Sequence, residues 1–432
     1  MSSSSGLLGT HVTWQDVELE IQKTLGTTAK FGENWKMQST GDMKGFMSKI
    51  ALIEPDWTGL APTDKDLPEK IAVKISSSLG IMEFFSAMTY LADDSTATAK
   101  VEKTEEEKLQ EAERVESIVR YHHNLEVETY QFVTDAADPK LQSTKIYASK
   151  AYSEENRTKG FLVCEFIPNV FPVTNHDTVA YRDFAPVFDT IAAFSAMGER
   201  LNEEEKSKTA GFGHLEGRVS FTIPVEKTAK VQAVLEEALG DEFSGKIQKV
   251  MQIIDVICGT SSTPGVLPKY SKIADILGHR PVLLHSDLWL GNMLFTKDPS
   301  DGHLDFKAII DFQSTSLGSP GLDVAWVAVC CLTSEDRRQY KDTYLQRYFE
   351  SFKESIKGLE TDAPYTFQHL SDSYDLCFVP IALQILPIFW CMTKYTQPVE
   401  ALQVARDKMI GLVEDLIEIH EANLEKFPEF FE

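Results

Sequence analysis

Along the first 170 residues, apolar positions recur in short runs with the period of two that a half-buried strand requires, and turn residues separate the runs. Lys36 to Thr40, Gly45 to Glu54 and Lys70 to Ser76 predict an antiparallel meander. In the third run, Ile71, Val73 and Ile75 share one face, and Ala72 and Lys74 share the other. Between Asp93 and Glu116 the chain turns to Thr, Lys and Glu, densest at Glu105-Glu106-Glu107. Apolar positions then return at Val115, Ile118, Val119, Leu125 and Phe132, which predicts a solvated entry into a long helix. Lys145 to Tyr152 and Phe161 to Ile167 predict two further strands, and Pro168 and Pro172 punctuate the chain after them. From about Thr178 the period changes: Phe184, Val187, Phe188, Ile191 and Phe194 fall at helical steps on one face. The remainder reads as mostly α, interrupted at Pro281 to His285 and Phe306 to Phe312 by apolar runs that predict strands delivering polar residues to a site.

With 432 residues, 43% of them hydrophobic, the chain can bury a substantial core and has the length of two or three lobes. A formal net charge of -24 sets its average field against phosphate backbones and anionic membrane surfaces, so no nucleic-acid partner is expected. The six cysteines (Cys164, Cys258, Cys330, Cys331, Cys377 and Cys391) form no C-x-x-C pair and have no nearby histidine at metal-ligand spacing, and read as reduced thiols. Met1 to Gly6 lacks a basic region followed by an apolar core, which makes a cytoplasmic location the expectation. The longest apolar stretch, Leu376 to Met392, is broken by Pro380, Gln384 and Pro387 and reads as a buried helix with no membrane insertion.

The chemistry concentrates in Val282-Leu283-Leu284-His285-Ser286-Asp287-Leu288-Trp289-Leu290-Gly291-Asn292-Met293-Leu294-Phe295, an H-x-D-x4-N arrangement between apolar runs. Phosphoryl transfer to a hydroxyl needs a carboxylate near the attacking oxygen and an oxygen ligand for magnesium, which Asp287 and Asn292 can supply from one loop. Taken alone, the same residues also suit a turn or a helix cap. Ala308-Ile309-Ile310-Asp311-Phe312-Gln313 follows, with Asp311 at the end of a second apolar run, where a rigidly held hard oxygen ligand for magnesium would stand.

H-x-D-x4-N, then I-I-D-F-Q, then Gly318-Ser319-Pro320-Gly321-Leu322-Asp323-Val324-Ala325 resembles the ecdysteroid-kinase-like, or CHK-kinase-like, family. That family is similar in fold to choline kinases and aminoglycoside phosphotransferases. The resemblance runs from about Phe31 to Leu332, and Gly41 to Ile53 resembles the nematode branch. It implies an α+β, protein-kinase-like fold of two lobes: an antiparallel sheet with a long helix, then a larger, mostly helical part. The expected divisions are an N-terminal helical extension over 1–30, a nucleotide-binding lobe over 31–167 and a catalytic lobe over 168–432.

Residue by residue, the resemblance implies Asp287 as catalytic base, Asn292 and Asp311 as magnesium ligands, Lys74 on the phosphates of ATP, and Asp323 as a brace for the catalytic loop. The simpler role for Asp323 is the N-terminal cap of a helix beginning near Val324. His285 reads as a packed, hydrogen-bonded residue that orients the loop. Ile71-Ala72-Val73-Lys74 resembles the V-A-I-K strand of protein kinases, whose lysine pairs with a helix glutamate. Similarity to the family's helix motif favours Glu126 as that partner, with Glu113, Glu116 and Glu128 on or near the same helix. Upstream, Gly41 and Gly45 would permit close backbone approach to phosphate and Lys44 would add a donor, although the segment also suits an ordinary hairpin. Resemblance alone places Glu165 and Ile167 at the adenine-contacting hinge.

The sequence lacks the H-R-D arginine, the D-F-G glycine and an A-P-E, and only 11 residues separate Asp311 from Asp323, too few for a peptide-docking activation segment. The acceptor is therefore expected to be a small hydroxyl-bearing molecule (sterol-, choline-, glycoside- or xenobiotic-like), with Trp289 either lining its pocket or packed in the core. A kinase-fold binding module without turnover is the alternative.

Overall fold

The computed structural model describes the chain except residues 1–5, 40–46, 65, 79–80, 82–103, 175–176, 178, 210–214 and 360, and gives the backbone only at 105, 108 and 111. The phosphate-loop candidates Gly41, Lys44 and Gly45 therefore lie outside the described residues. The chain divides into two compact units: one of Met1–Ser86, Asp93–Thr134 and Thr144–Asn169, the other of Ala87–Ala92, Asp135–Ser143 and Val170–Glu432.

The first unit is built on a five-stranded sheet of β1 (Lys36–Ser39), β2 (Ser48–Glu54), β3 (Ile71–Ser76), β4 (Ile146–Lys150) and β5 (Phe161–Glu165). Its order is β1-β2-β3-β5-β4, with every neighbouring pair antiparallel. The alternation in β3 sends Ile71, Val73 and Ile75 into a core shared with Ala51, Ile53, Ala148, Phe161 and Val163. Val17 and Ile21 of helix α1 (Trp14–Leu25) enter the same core together with Leu7 and Val12, so α1 packs as part of this unit. Each such fully buried aliphatic side chain contributes about 1.5–3 kcal/mol. Thr13 and Asp16 form the capping box that starts α1, and Lys159 holds Asp16 at 2.8 Å. The charged entry seen in the sequence opens α2 (Glu105–Ala136), whose Val119, Leu125 and Phe132 are buried.

The second unit carries α3 (Tyr181–Met197), α4 (Glu203–Thr209), α5 (Leu215–Thr222), α6 (Thr228–Leu239), α7 (Ser244–Cys258) and α8 (Ile273–Leu277). It continues with α9 (Gly321–Cys331), α10 (Ser334–Ser355), α11 (Phe367–Thr396), α12 (Val399–Lys426) and α13 (Pro428–Phe431). The apolar face read along Phe184, Val187, Phe188, Ile191 and Phe194 is fully buried. Phe188 stacks on Tyr344 with ring centroids 5.1 Å apart, tying α3 to α10. Two small antiparallel sheets deliver the site: β7 (Val282–Leu284) pairs with β10 (Ser316–Gly318), and β8 (Met293–Lys297) pairs with β6 (Val170–Phe171) and β9 (Leu304–Ile309). Helix α11 is long and apolar enough to cross a membrane by composition, yet 83% of its apolar window is buried against the rest of the protein.

Candidate active site

In the first unit, strand alternation turns Lys74 onto the face opposite Ile71, Val73 and Ile75, and one carboxylate meets it there. Lys74 Nζ lies 2.7 and 2.6 Å from the two Glu126 oxygens, and the two side chains are only 13% and 2% exposed. Among the helix glutamates left open by the sequence, Glu116 accepts instead from Ser78 Oγ at 2.6 Å and Glu113 from Arg120 at 2.7 Å. Beside the pair, His123 Nε2 meets the Lys150 carbonyl at 2.8 Å while Nδ1 is buried without a hydrogen-bond partner. Burial pushes its pKa down to about 4; the Lys150 carbonyl opposes that shift and the Lys74 charge adds to it. At the end of β5, the Glu165 N–H donates to the Lys145 carbonyl at 2.8 Å, and Ile167 follows half-buried beyond the strand.

In the second unit, the loop after β7 is held by a carboxylate from a distant helix. Asp323 Oδ2 accepts the His285 N–H at 2.7 Å, and Oδ1 accepts the Ser286 N–H at 2.8 Å. Ser286 adopts φ +63°, a left-handed conformation that costs a non-glycine residue about 1–3 kcal/mol and needs such support. Ser286 Oγ also lies 2.7 Å from Ser316 Oγ of β10. Asp323 is not the N-terminal cap of the helix: α9 begins at Gly321, so Asp323 is its third residue, and its carboxylate is spent on the loop. Complete burial pushes the Asp323 carboxyl pKa up, against the lowering effect of His285 and of the two N–H donors. His285 Nε2 meets the Ile310 carbonyl at 3.0 Å and its ring centroid lies 5.0 Å from that of Phe312, which holds the ring against the segment that follows β9.

Asn292 continues the loop, with Nδ2 donating to the Asp287 carbonyl at 2.8 Å and reaching Asp287 Oδ2 at 3.4 Å. The Ile310 N–H donates to the Asn292 carbonyl at 3.0 Å and Met293 pairs with Ile309, so Asn292 and the residues leading to Asp311 are held side by side. Strand β9 ends two residues before Asp311, which takes φ +70° and accepts Gln313 Nε2 at 3.4 Å. Among the described residues, no group of three His, Cys, Asp or Glu side chains forms a protein-only metal cage. One amide oxygen and one carboxylate fit an octahedral magnesium that takes its other ligands from phosphate and water. Trp289 folds its ring over Gly291, where an added Cβ would stand 2.3 Å from the ring. A cavity of about 220 Å³ bordered by Leu215, Ile273, Pro281, Ser316 and Leu322 does not include Trp289 in its wall.

The residue that sequence reasoning missed is Arg218 on α5. Its Nη2 donates to Asp287 Oδ1 at 2.6 Å and its Nη1 to the Ser286 carbonyl, while its guanidinium carbon lies 4.8 Å from the Trp326 ring centroid. A lone arginine some 70 residues before the loop carries no local signature, and only the fold brings it there.

Among solved structures, choline kinase from Cryptosporidium parvum Iowa II is 10% identical with a TM-score of 0.50, over 92% of this chain and 93% of that one, a likeness that shows a kinase-like fold. An uncharacterized kinase-like protein of Caenorhabditis elegans, D1044.1, is 32% identical over 133 residues, 31% of each chain. The uncharacterized oxidoreductase dhs-27 of the same organism is 22% identical over 328 residues, 74% of this chain and 38% of that one. The alignments thus span about a third of the length of these curated relatives. With a family profile matching residues 1–424, the chain belongs to the DUF1679 family, described as "Uncharacterized oxidoreductase dhs-27".

Proposed function

We propose that the chain is a magnesium-dependent phosphotransferase of the CHK-kinase-like type, moving the γ-phosphate of ATP to a hydroxyl of a small molecule. The observation that carries this reading is the braced loop, which holds Asp287 and Asn292 in one turn with the segment leading to Asp311 fixed beside it by the Ile310–Asn292 hydrogen bond.

In this reading Asp287 takes the proton as the acceptor oxygen bonds to the γ-phosphorus, and the bond from that phosphorus to the bridging oxygen of ADP breaks. Magnesium, when bound, neutralises charge on the phosphates, and Asn292 and Asp311 are the residues that would hold it. Lys74, steered by Glu126, binds the phosphates; Gly41, Lys44 and Gly45 cover them; the backbone at Glu165 and Ile167 receives the base. Asp323 and His285 keep the loop in shape. The protein acts in the cytoplasm, in this reading, as two working lobes divided near residue 167.

The word oxidoreductase in the family description raises the other chemistry. Hydride transfer with a nicotinamide cofactor relies on a G-x-G-x-x-G turn opening a parallel βαβ unit. This sequence contains no G-x-G-x-x-G, and the strands of all three described sheets pair antiparallel. A second reading, a nucleotide-binding module without turnover, draws on the Arg218 bond to Asp287.

The test is ATP turnover by the purified chain with magnesium, over a metabolite extract searched for products that gain a phosphate. Asp287→Asn is expected to keep nucleotide binding and lose about 10²–10⁴-fold in kcat, and Asp311→Asn to lose magnesium-dependent nucleotide binding. Nucleotide affinity indifferent to magnesium in wild type and variant alike would remove the metal assignment. Magnesium-dependent binding with no turnover on any extract would favour the binding module.

A further inference from the structure

Arg218 stands in surroundings suited to any cation. One carboxylate oxygen (Asp287 Oδ1, 2.6 Å), one carbonyl (Ser286) and one aromatic face (Trp326, 4.8 Å) converge on its guanidinium. A carboxylate beside an aromatic face is a combination that binds organic cations. Here the chain itself supplies the cation, from a side chain 27% exposed onto a carboxylate 15% exposed. A hydroxyl that approaches Asp287 must then come up beside a fixed positive charge.

Resting on the phosphotransferase reading, we propose that Arg218 fills the cation position beside Asp287 and sets acceptor choice: the acceptor is an alcohol that is neutral or anionic next to its reacting hydroxyl, and amino alcohols are rejected by like charge. The planar fork bridges the loop carbonyl and the carboxylate together, so Arg218 also fixes the direction in which Asp287 presents its other oxygen. A lysine there would keep the charge and lose the fork.

The first test needs no turnover. Methylguanidinium and tetramethylammonium are titrated by calorimetry into the full-length wild type, Arg218→Ala and Arg218→Met, the methionine variant keeping an apolar stem should the alanine variant fold poorly. The vacated position is expected to bind at least one of these ions in the millimolar range, about tenfold or more tighter than wild type, and Trp326→Phe added to either variant to weaken that binding. Equal binding by wild type and variants, or binding by neither variant, would overturn the proposal.

The second test compares 2-aminoethanol, ethylene glycol and glycolate as acceptors with ATP and magnesium, following phosphorylated product by phosphorus NMR. Wild type is expected to use the ammonium compound about tenfold or more less well in kcat/KM than the best of the other two, with the gap closing in Arg218→Met and persisting in Arg218→Lys. A wild type that prefers the ammonium compound would overturn the charge filter and leave the phosphotransferase standing. Cation binding as expected, together with no transfer to these alcohols or to any extract, would remove the phosphotransferase and leave the Arg218 site standing.

Discussion

Asp323 accepts the backbone N–H groups of both His285 and Ser286, at 2.7 and 2.8 Å, across 38 and 37 residues of sequence. One carboxylate thereby satisfies two buried donors and supports Ser286 in its left-handed conformation, so the geometry of Asp287 depends on a helix it does not belong to. Asp323→Asn keeps the shape but offers one oxygen where two are used and turns an NH₂ toward an N–H. The expected loss is about 2–4 kcal/mol of stability, read as a lower urea midpoint at unchanged m-value. Wild-type stability in this variant would show that the brace contributes nothing.

The Lys74–Glu126 pair separates structural from functional loss. Lys74→Met takes the ammonium away from a Glu126 carboxylate that is 2% exposed, and Glu126→Gln leaves the ammonium with a neutral amide in place of that carboxylate. Breaking such a pair from one side costs about 3–5 kcal/mol, whereas replacing both members is often near neutral. Lys74→Met with Glu126→Gln is therefore expected to recover most of the stability lost by Lys74→Met alone. Nucleotide affinity, measured by calorimetry, is expected to stay low in single and double variant alike, because the phosphate contact proposed for Lys74 is gone in both. A double variant that recovered affinity together with stability would show that Lys74 acts only as scaffold.

How far the sequence carried depended on whether the information was local. Alternation along Ile71 to Ser76 is a property of six adjacent residues, and it placed Lys74 on the face opposite Ile71, Val73 and Ile75. The spacing of His285, Asp287 and Asn292 is equally local, and these residues occupy one loop. Of the two roles the sequence left to Asp323, the cap fails because the start of a helix is set by where the chain before it turns, here at Gly321, and not by the nearest acidic residue. Arg218 was invisible because its meaning comes from contacts with Ser286, Asp287 and Trp326, all far off in sequence. The ring of Trp289 lies over Gly291, a matter of rotamer that no pattern of residue types encodes.

Gly321 opens α9 against α11. A Cβ there would stand 2.1 Å from the Tyr374 nitrogen, a backbone atom within a helix that cannot step aside, and the Gly321 N–H already donates to Ser373 Oγ at 3.0 Å. Gly321→Ala is thus expected to part the two helices and shift Asp323 two residues on, at a cost of about 1–3 kcal/mol. The same substitution at Gly245 of α7, where an added Cβ meets nothing within 4 Å, is the control and is expected to be neutral or mildly stabilising. Equal denaturation midpoints for the two variants would show that the helix contact tolerates a methyl group.

His123 makes stability depend on pH in a definite direction. With Nε2–H given to the Lys150 carbonyl and Nδ1 buried without a partner, the folded protein holds this imidazole neutral, and its pKa falls to about 4 from an ordinary 6.5. Between those values the unfolded chain binds a proton that the folded chain does not. Stability is therefore whole above about pH 6.5 and falls as the pH drops towards 4, by at most about 3 kcal/mol from this residue. His279 and His420, also shifted downward by burial, act in the same direction. His123→Gln retains an amide donor for the Lys150 carbonyl and cannot titrate. Urea midpoints measured at steps from pH 7 to 4.5 are expected to decline less steeply in this variant than in wild type, and parallel declines would show that the slope arises elsewhere.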